Sequence, residues 1–137
     1  MKIILALTLC SAIYSQKVLA LDTSPTTLAL TMDGMKADLK TIASQVNNPA
    51  KNAESARLAT DFVMLVQEAE SFVPDSVSSL PASQQPARLA LYKEMLDAVA
   101  KDGLDLAAAF RANQNKAAVD LIRKLAQMKT DGHKEFN

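Results

Sequence analysis

Cysteine is almost missing from this 137-residue chain, and the single one, Cys10, falls in an N-terminal apolar run. Lys2 opens that run with a positive charge, Ile3 to Ile13 is nearly unbroken hydrocarbon, and Val18-Leu19-Ala20 has the form of a small-residue cleavage site. These are the three parts of a secretory signal peptide. We therefore expect residues 1–20 to be removed after Ala20, leaving an exported domain at 21–137. Leu9, rather than a small residue, precedes Cys10, which argues against lipid attachment there. A mature domain without cysteine excludes disulfides, iron–sulfur clusters, thiolate zinc sites and a Cys-x-x-Cys-His motif for covalent attachment of a macrocycle.

Other absences narrow the class further. No stretch after the leader approaches eighteen uncharged apolar residues, so no membrane insertion is expected. Charge of one sign is lacking as well. Without Lys2 and Lys17 the chain keeps 13 basic and 15 acidic side chains, a net charge of −2, with no basic patch for nucleic acid. Only one histidine is present, which rules out bis-histidine ligation within one chain. The Glu-x-x-His pattern of carboxylate-bridged metal sites is missing. Ser, His and acidic residues occur at no spacing that singles out a catalytic constellation, so an enzyme is not expected.

What remains is helical pattern. Glycine occurs 3 times, and proline only at 25, 49, 74, 81 and 86. Ser24-Pro25 reads as an N-cap with proline at the first helical position. Leu28, Met32, Met35, Leu39, Ile42 and Val46 then recur at alternating spacings of 4 and 3, the seam of a bundle helix. Asn47-Asn48-Pro49 ends it. A second helix is expected from about Ala50 to Val73, with Leu58, Phe62, Leu65, Ala69 and Phe72 on one face, stopped by Pro74. Residues 74–85 read as a long loop. A third helix starts near Pro86 and carries Leu89, Tyr92, Leu96, Val99, Leu106 and Phe110, with Gly103 in the same stripe. A glycine there costs roughly 1 kcal/mol of helix propensity and suits close approach of a neighbour. After a polar turn at 112–115, a fourth helix is expected from about Lys116 to Phe136. The architecture expected is all-α, an up-down-up-down antiparallel four-helix bundle.

In that topology the start of helix 1 and the end of helix 4 share one end of the bundle. Met32 and His133 then face each other across the core, where a thioether and an imidazole form a known axial pair for haem iron. The long loop lies at the same end, and Phe72, Val73, Leu89 and Tyr92 would surround an opening for a flat ligand. Each residue also has a plainer reading. Met32 at a seam position reads as core filler, and Met35 is a competing thioether. His133, at the edge of the apolar arc, reads as a surface residue complementing the helix dipole. Lys129 reads as a solvated rim residue, or as a partner for a propionate. Tyr92 reads as a packing residue whose hydroxyl reaches solvent.

Two segments add weight to the haem reading. Thr31-Met32-Asp33-Gly34-Met35-Lys36-Ala37-Asp38-Leu39-Lys40-Thr41-Ile42 and Met128-Lys129-Thr130-Asp131-Gly132-His133-Lys134-Glu135-Phe136 resemble the two ends of the cytochrome b562 family. That family's methionine is followed by leucine-type residues three, seven and ten positions on, here Met35, Leu39 and Ile42. Its histidine has a basic residue four positions before it, here Lys129, and an aromatic three positions after, here Phe136. Gly132 stands where the family can place an aromatic.

The resemblance implies a soluble periplasmic four-helix bundle holding haem b non-covalently, with Met32 and His133 as axial ligands. It implies one-electron transfer with redox partner proteins. A monomer is the expected state. The alternative is a haem-free periplasmic helical adaptor or holdase, which needs exposed apolar surface.

Overall fold

The computed structural model describes residues 27–136; the expected leader, its cleavage site and the expected Ser24–Pro25 cap lie outside them. The first helix, α1, spans Leu28–Gln45. Thr27 caps it in an extended conformation, its Oγ1 accepting from the Leu30 amide at 3.3 Å. Asn48 then accepts from the Ala50 amide at 3.1 Å, and Pro49–Lys51 form a 3₁₀ turn that leads into α2, Asn52–Ala69. A one-turn helix, α3, covers Asp75–Ser78. The longest helix, α4, spans Gln85–Arg111, with Pro86 in its first turn, where a missing amide costs nothing. The last, α5, covers Asn115–Phe136. No strand occurs among the described residues, so the domain is an all-α bundle.

The turn between α4 and α5 has an identifiable cause. Asn113 sits at φ 55°, the left-handed region that asparagine tolerates. Its amide reaches the Phe110 carbonyl at 3.0 Å while the Gln114 amide reaches that of Ala109 at 2.8 Å. This is the paired bonding of a Schellman ending, which satisfies carbonyls that the helix leaves open.

Two expectations need correction. The second helix ends at Ala69, not Val73, and its buried set differs from the expected stripe. Ser55, Ala56, Ala59, Phe62, Val63, Val66 and Ala69 are buried, while Leu58, Leu65 and Phe72 are only half-buried. The reason is position: α2 packs extensively on both α1 and α4, so it must bury two faces, and small residues let both neighbours approach. The segment 74–85 is likewise not all loop, because α3 inserts Val77, fully buried, beneath the end of the bundle.

Side-chain bonds tie each end. At one, Asn115 Nδ2 donates to the Val46 carbonyl at 2.6 Å and to Asn52 Oδ1 at 2.8 Å. Buried Asn52 in turn donates to Asn113 Oδ1 at 2.9 Å. At the other, the Tyr92 hydroxyl donates to the Ala69 carbonyl at 2.9 Å, and Ser76 Oγ donates to the Phe136 carbonyl at 2.7 Å. Between the ends, Ile42, Phe62, Val66, Leu106, Phe110 and Leu125 are almost wholly buried. Packing runs from α1 to α2, from α2 to α4 and from α4 to α5, whereas α1 and α5 touch only sparsely. The bundle is therefore open along the seam between its first and last long helices.

Candidate functional site

A cavity of about 970 Å³ occupies that open seam. Each helix presents one face to it, as the spacing of three and four residues per turn requires. From α1 come Leu28, Met32, Met35, Lys36 and Leu39; from α4, Tyr92, Met95, Leu96 and Val99; from α5, Leu125, Met128, Lys129, Gly132, His133 and Phe136. Val73, Pro74 and the α3 residues Asp75 and Ser76 line the end of the space, and Phe62 of α2 lines it from the core. The volume lies in the upper part of the range of small-molecule and cofactor sites, and the wall is mostly apolar with a few charged groups, as such sites are.

Met32 and His133 both line this one cavity. Met32 is half-buried and His133 exposed, so the thioether belongs to the wall and the imidazole to the rim. Lys129, one turn before His133 on the same face, is exposed and also lines the space. Val73 and Tyr92 line it as expected, whereas Phe72 and Leu89 do not. Because α2 stops at Ala69, the chain turns before residue 72, and Val73 rather than its neighbour reaches the opening.

Tyr92 departs from its expected role in another respect. Its hydroxyl is not in solvent but bonded to the Ala69 carbonyl, and the residue is only 4% exposed. Burial, with the Glu70 carboxylate nearby, pushes the phenol up to about 12. Its ring therefore serves the cavity as neutral aromatic surface, and its one hydrogen is committed elsewhere.

The end of α5 that carries His133 is held from across the bundle. The Arg88 guanidinium donates both to the Glu135 carboxylate and to the Glu135 carbonyl. The same group lies 4.7 Å from the centre of the Phe136 ring. That ring meets Tyr92 edge-on at 5.3 Å and 72°.

Sequence reading missed Met95 as a wall residue and did not place Met128 at the opening. Both had a signal: Met95 lies three residues from Tyr92 and four from Val99, and Met128 stands three residues after Leu125. Four thioethers, from Met32, Met35, Met95 and Met128, thus face a single space. Methionine is long, flexible and polarisable, so this wall can adapt to irregular surfaces. Among the described residues no group of three or more His, Cys, Asp or Glu is placed to hold a metal ion. No helix among them is long and apolar enough to cross a membrane. Comparison with protein-family models, curated proteins and solved structures found no match.

Proposed function

We propose that this chain is an exported electron-transfer protein of the cytochrome b562 type, an up-down-up-down four-helix bundle that takes one haem b non-covalently between Met32 and His133. One observation carries the reading: the sole histidine and the methionine singled out by the resemblance come from opposite ends of the chain yet line the same apolar cavity. The bonds at the bundle ends support the topology. They gather the end of α1, the start of α2 and the α4–α5 turn at one pole, and the end of α2, the start of α4 and the end of α5 at the other.

The donor set fits the group. Haem bound in this space supplies a one-electron ferric–ferrous couple. Met32 would hold it through a soft sulfur that favours the reduced metal, and His133 through an imidazole nitrogen. Held by both of these side chains, the group would have no position left for oxygen or substrate, which favours electron transfer over catalysis. Leu96, Val99, Leu125 and the remaining methionines exclude water and lower the local dielectric. Lys36 and Lys129 line the opening alongside Asp33, Asp75 and Asp131, and the two ammonium groups suit the carboxylates of a porphyrin. The protein works as a monomer in the periplasm and exchanges electrons with partner proteins. Among the described residues the large exposed apolar side chains Leu30, Met64, Val73, Leu91 and Leu104 are spread over α1, α2, the following loop and α4. Such scattered exposure is ordinary for a monomer and does not favour a holdase.

The test is the absorption spectrum of the exported full-length protein. A sharp low-spin α-band on reduction, with all haem released by acid acetone, is the expected result. Met32→Ala is expected to convert the iron to a five-coordinate or water-ligated state. A colourless protein that takes up no added haem, or a high-spin spectrum in the unaltered chain, contradicts the proposal. An unchanged Met32→Ala spectrum moves the sulfur ligand to Met35.

A further inference from the structure

His133 lies in the last turn of α5, and its usefulness depends on how firmly that turn is held. The final carbonyls of a helix have no partners within it, so such turns open readily unless other groups satisfy them. Here two of those carbonyls are met from outside the helix. Ser76 Oγ donates to that of Phe136 at 2.7 Å, and one arm of Arg88 donates to that of Glu135. A second arm of Arg88 holds the Glu135 carboxylate, and the guanidinium carbon lies over the Phe136 ring. Phe136 is wedged edge-on against Tyr92, which is itself fastened to the end of α2. One side chain thus grips residues two and three positions beyond His133 through a carbonyl, a carboxylate and a ring.

We propose that Arg88 is a positioning residue for His133: by gripping Glu135 and Phe136 it fixes the rotation of the turn that presents the imidazole to the cavity. The inference rests on the haem reading above. It does not require Arg88 to touch the ligand, and Arg88 is not among the residues lining the cavity. The chemistry calls for arginine in particular. A planar fork can bond a carboxylate and a carbonyl together while stacking on a ring, and the point charge of a lysine cannot. Removing a partner that orients a metal-bound histidine typically weakens metal retention roughly 10–100-fold.

The experiment compares the full-length chain with Arg88→Ala, Arg88→Lys and Glu135→Gln, each with and without added haem. In the haem-free proteins, hydrogen exchange is expected to quicken at the amides of 132–136 in Arg88→Ala, with helix content by circular dichroism unchanged. In the haem-loaded proteins, Arg88→Ala and Arg88→Lys are expected to show a rise in high-spin signal and roughly 10–100-fold faster haem loss to an apomyoglobin trap. Glu135→Gln keeps the carbonyl and ring contacts and is expected to show a smaller effect of the same kind. A purely structural role would lower the melting temperature of Arg88→Ala and leave spectrum and haem loss as they were, which overturns the inference. Full rescue by Arg88→Lys overturns it as well. If the unaltered protein takes up no haem, the proposed function fails and this inference fails with it; if the unaltered protein is low-spin and Arg88→Ala matches it, only the inference fails.

Discussion

A Cβ added to Gly103 would lie 2.7 Å from Val63 Cγ2 and 3.1 Å from Phe62 Cδ1, so α4 rests on α2 at a distance that only glycine allows. Gly103→Ala gains about 1 kcal/mol of helix propensity. It must also push Val63 and Phe62 out of a packed interior, and such overpacking costs about 1–3 kcal/mol. Net destabilisation by urea unfolding is the expected outcome. Because Phe62 also lines the cavity, haem affinity is expected to fall as well. A Gly103→Ala protein more stable than the parent would show that the two helices are free to separate there.

Asn115 links three elements at the pole away from the cavity, through the Val46 carbonyl and the Asn52 side chain. Asn115→Ala leaves a carbonyl and a buried amide without that partner, at a cost of about 1–3 kcal/mol. The measurement is chemical denaturation of the haem-free protein. The site lies at the other end of the bundle, so the absorption spectrum of the haem-loaded variant is expected to stay that of the parent.

Tyr92 gives a pH dependence whose sign follows from its surroundings. Burial and Glu70 hold the folded phenol at about 12, while the unfolded chain ionises near 10.0. Between those values the folded state keeps a proton that the unfolded state has lost. Stability from this group is therefore complete below pH 10 and declines as pH rises towards 12, by about 2–3 kcal/mol in total. Tyr92→Phe should cost about 1 kcal/mol at neutral pH through the lost bond to Ala69. It should then lose less stability than the parent between pH 10 and 12. Parallel curves for the two proteins across that interval would contradict the assignment.

The legible parts of this fold are those whose information is local. The alternating spacing from Leu28 to Val46 marked α1, and the same stripe supplies both buried Ile42 and the cavity residues Met32, Met35 and Leu39. Pro86 marked the start of α4, and the polar run at 112–115 marked the turn before α5. The second helix was harder to read because its buried faces are built from Ser55, Ala56 and Ala59. Small residues offer little contrast in hydrophobic size, so Leu58 and Leu65 drew the expected stripe towards themselves. Val77 was missed because a four-residue helix is too short to show a period.

Met32, His133, Lys129 and Tyr92, all singled out in the sequence, line the one cavity. Phe72 does not, because its place depends on where α2 ends. The grip of Arg88 on Glu135 and Phe136 joins segments far apart in the chain, and no spacing within either segment announces it.

The most direct test of the central claim is a proton–carbon NMR spectrum of protein carrying ¹³C-labelled methionine methyls, recorded with haem bound and reduced. A methyl group on a sulfur held over the macrocycle feels its ring current and moves far upfield of the others. One strongly shifted methyl, lost in Met32→Ala and retained in Met35→Ala, is the result expected of Met32 as the sulfur ligand. All methionine methyls at ordinary positions, or a shifted methyl that disappears with Met35, Met95 or Met128 instead, would contradict it.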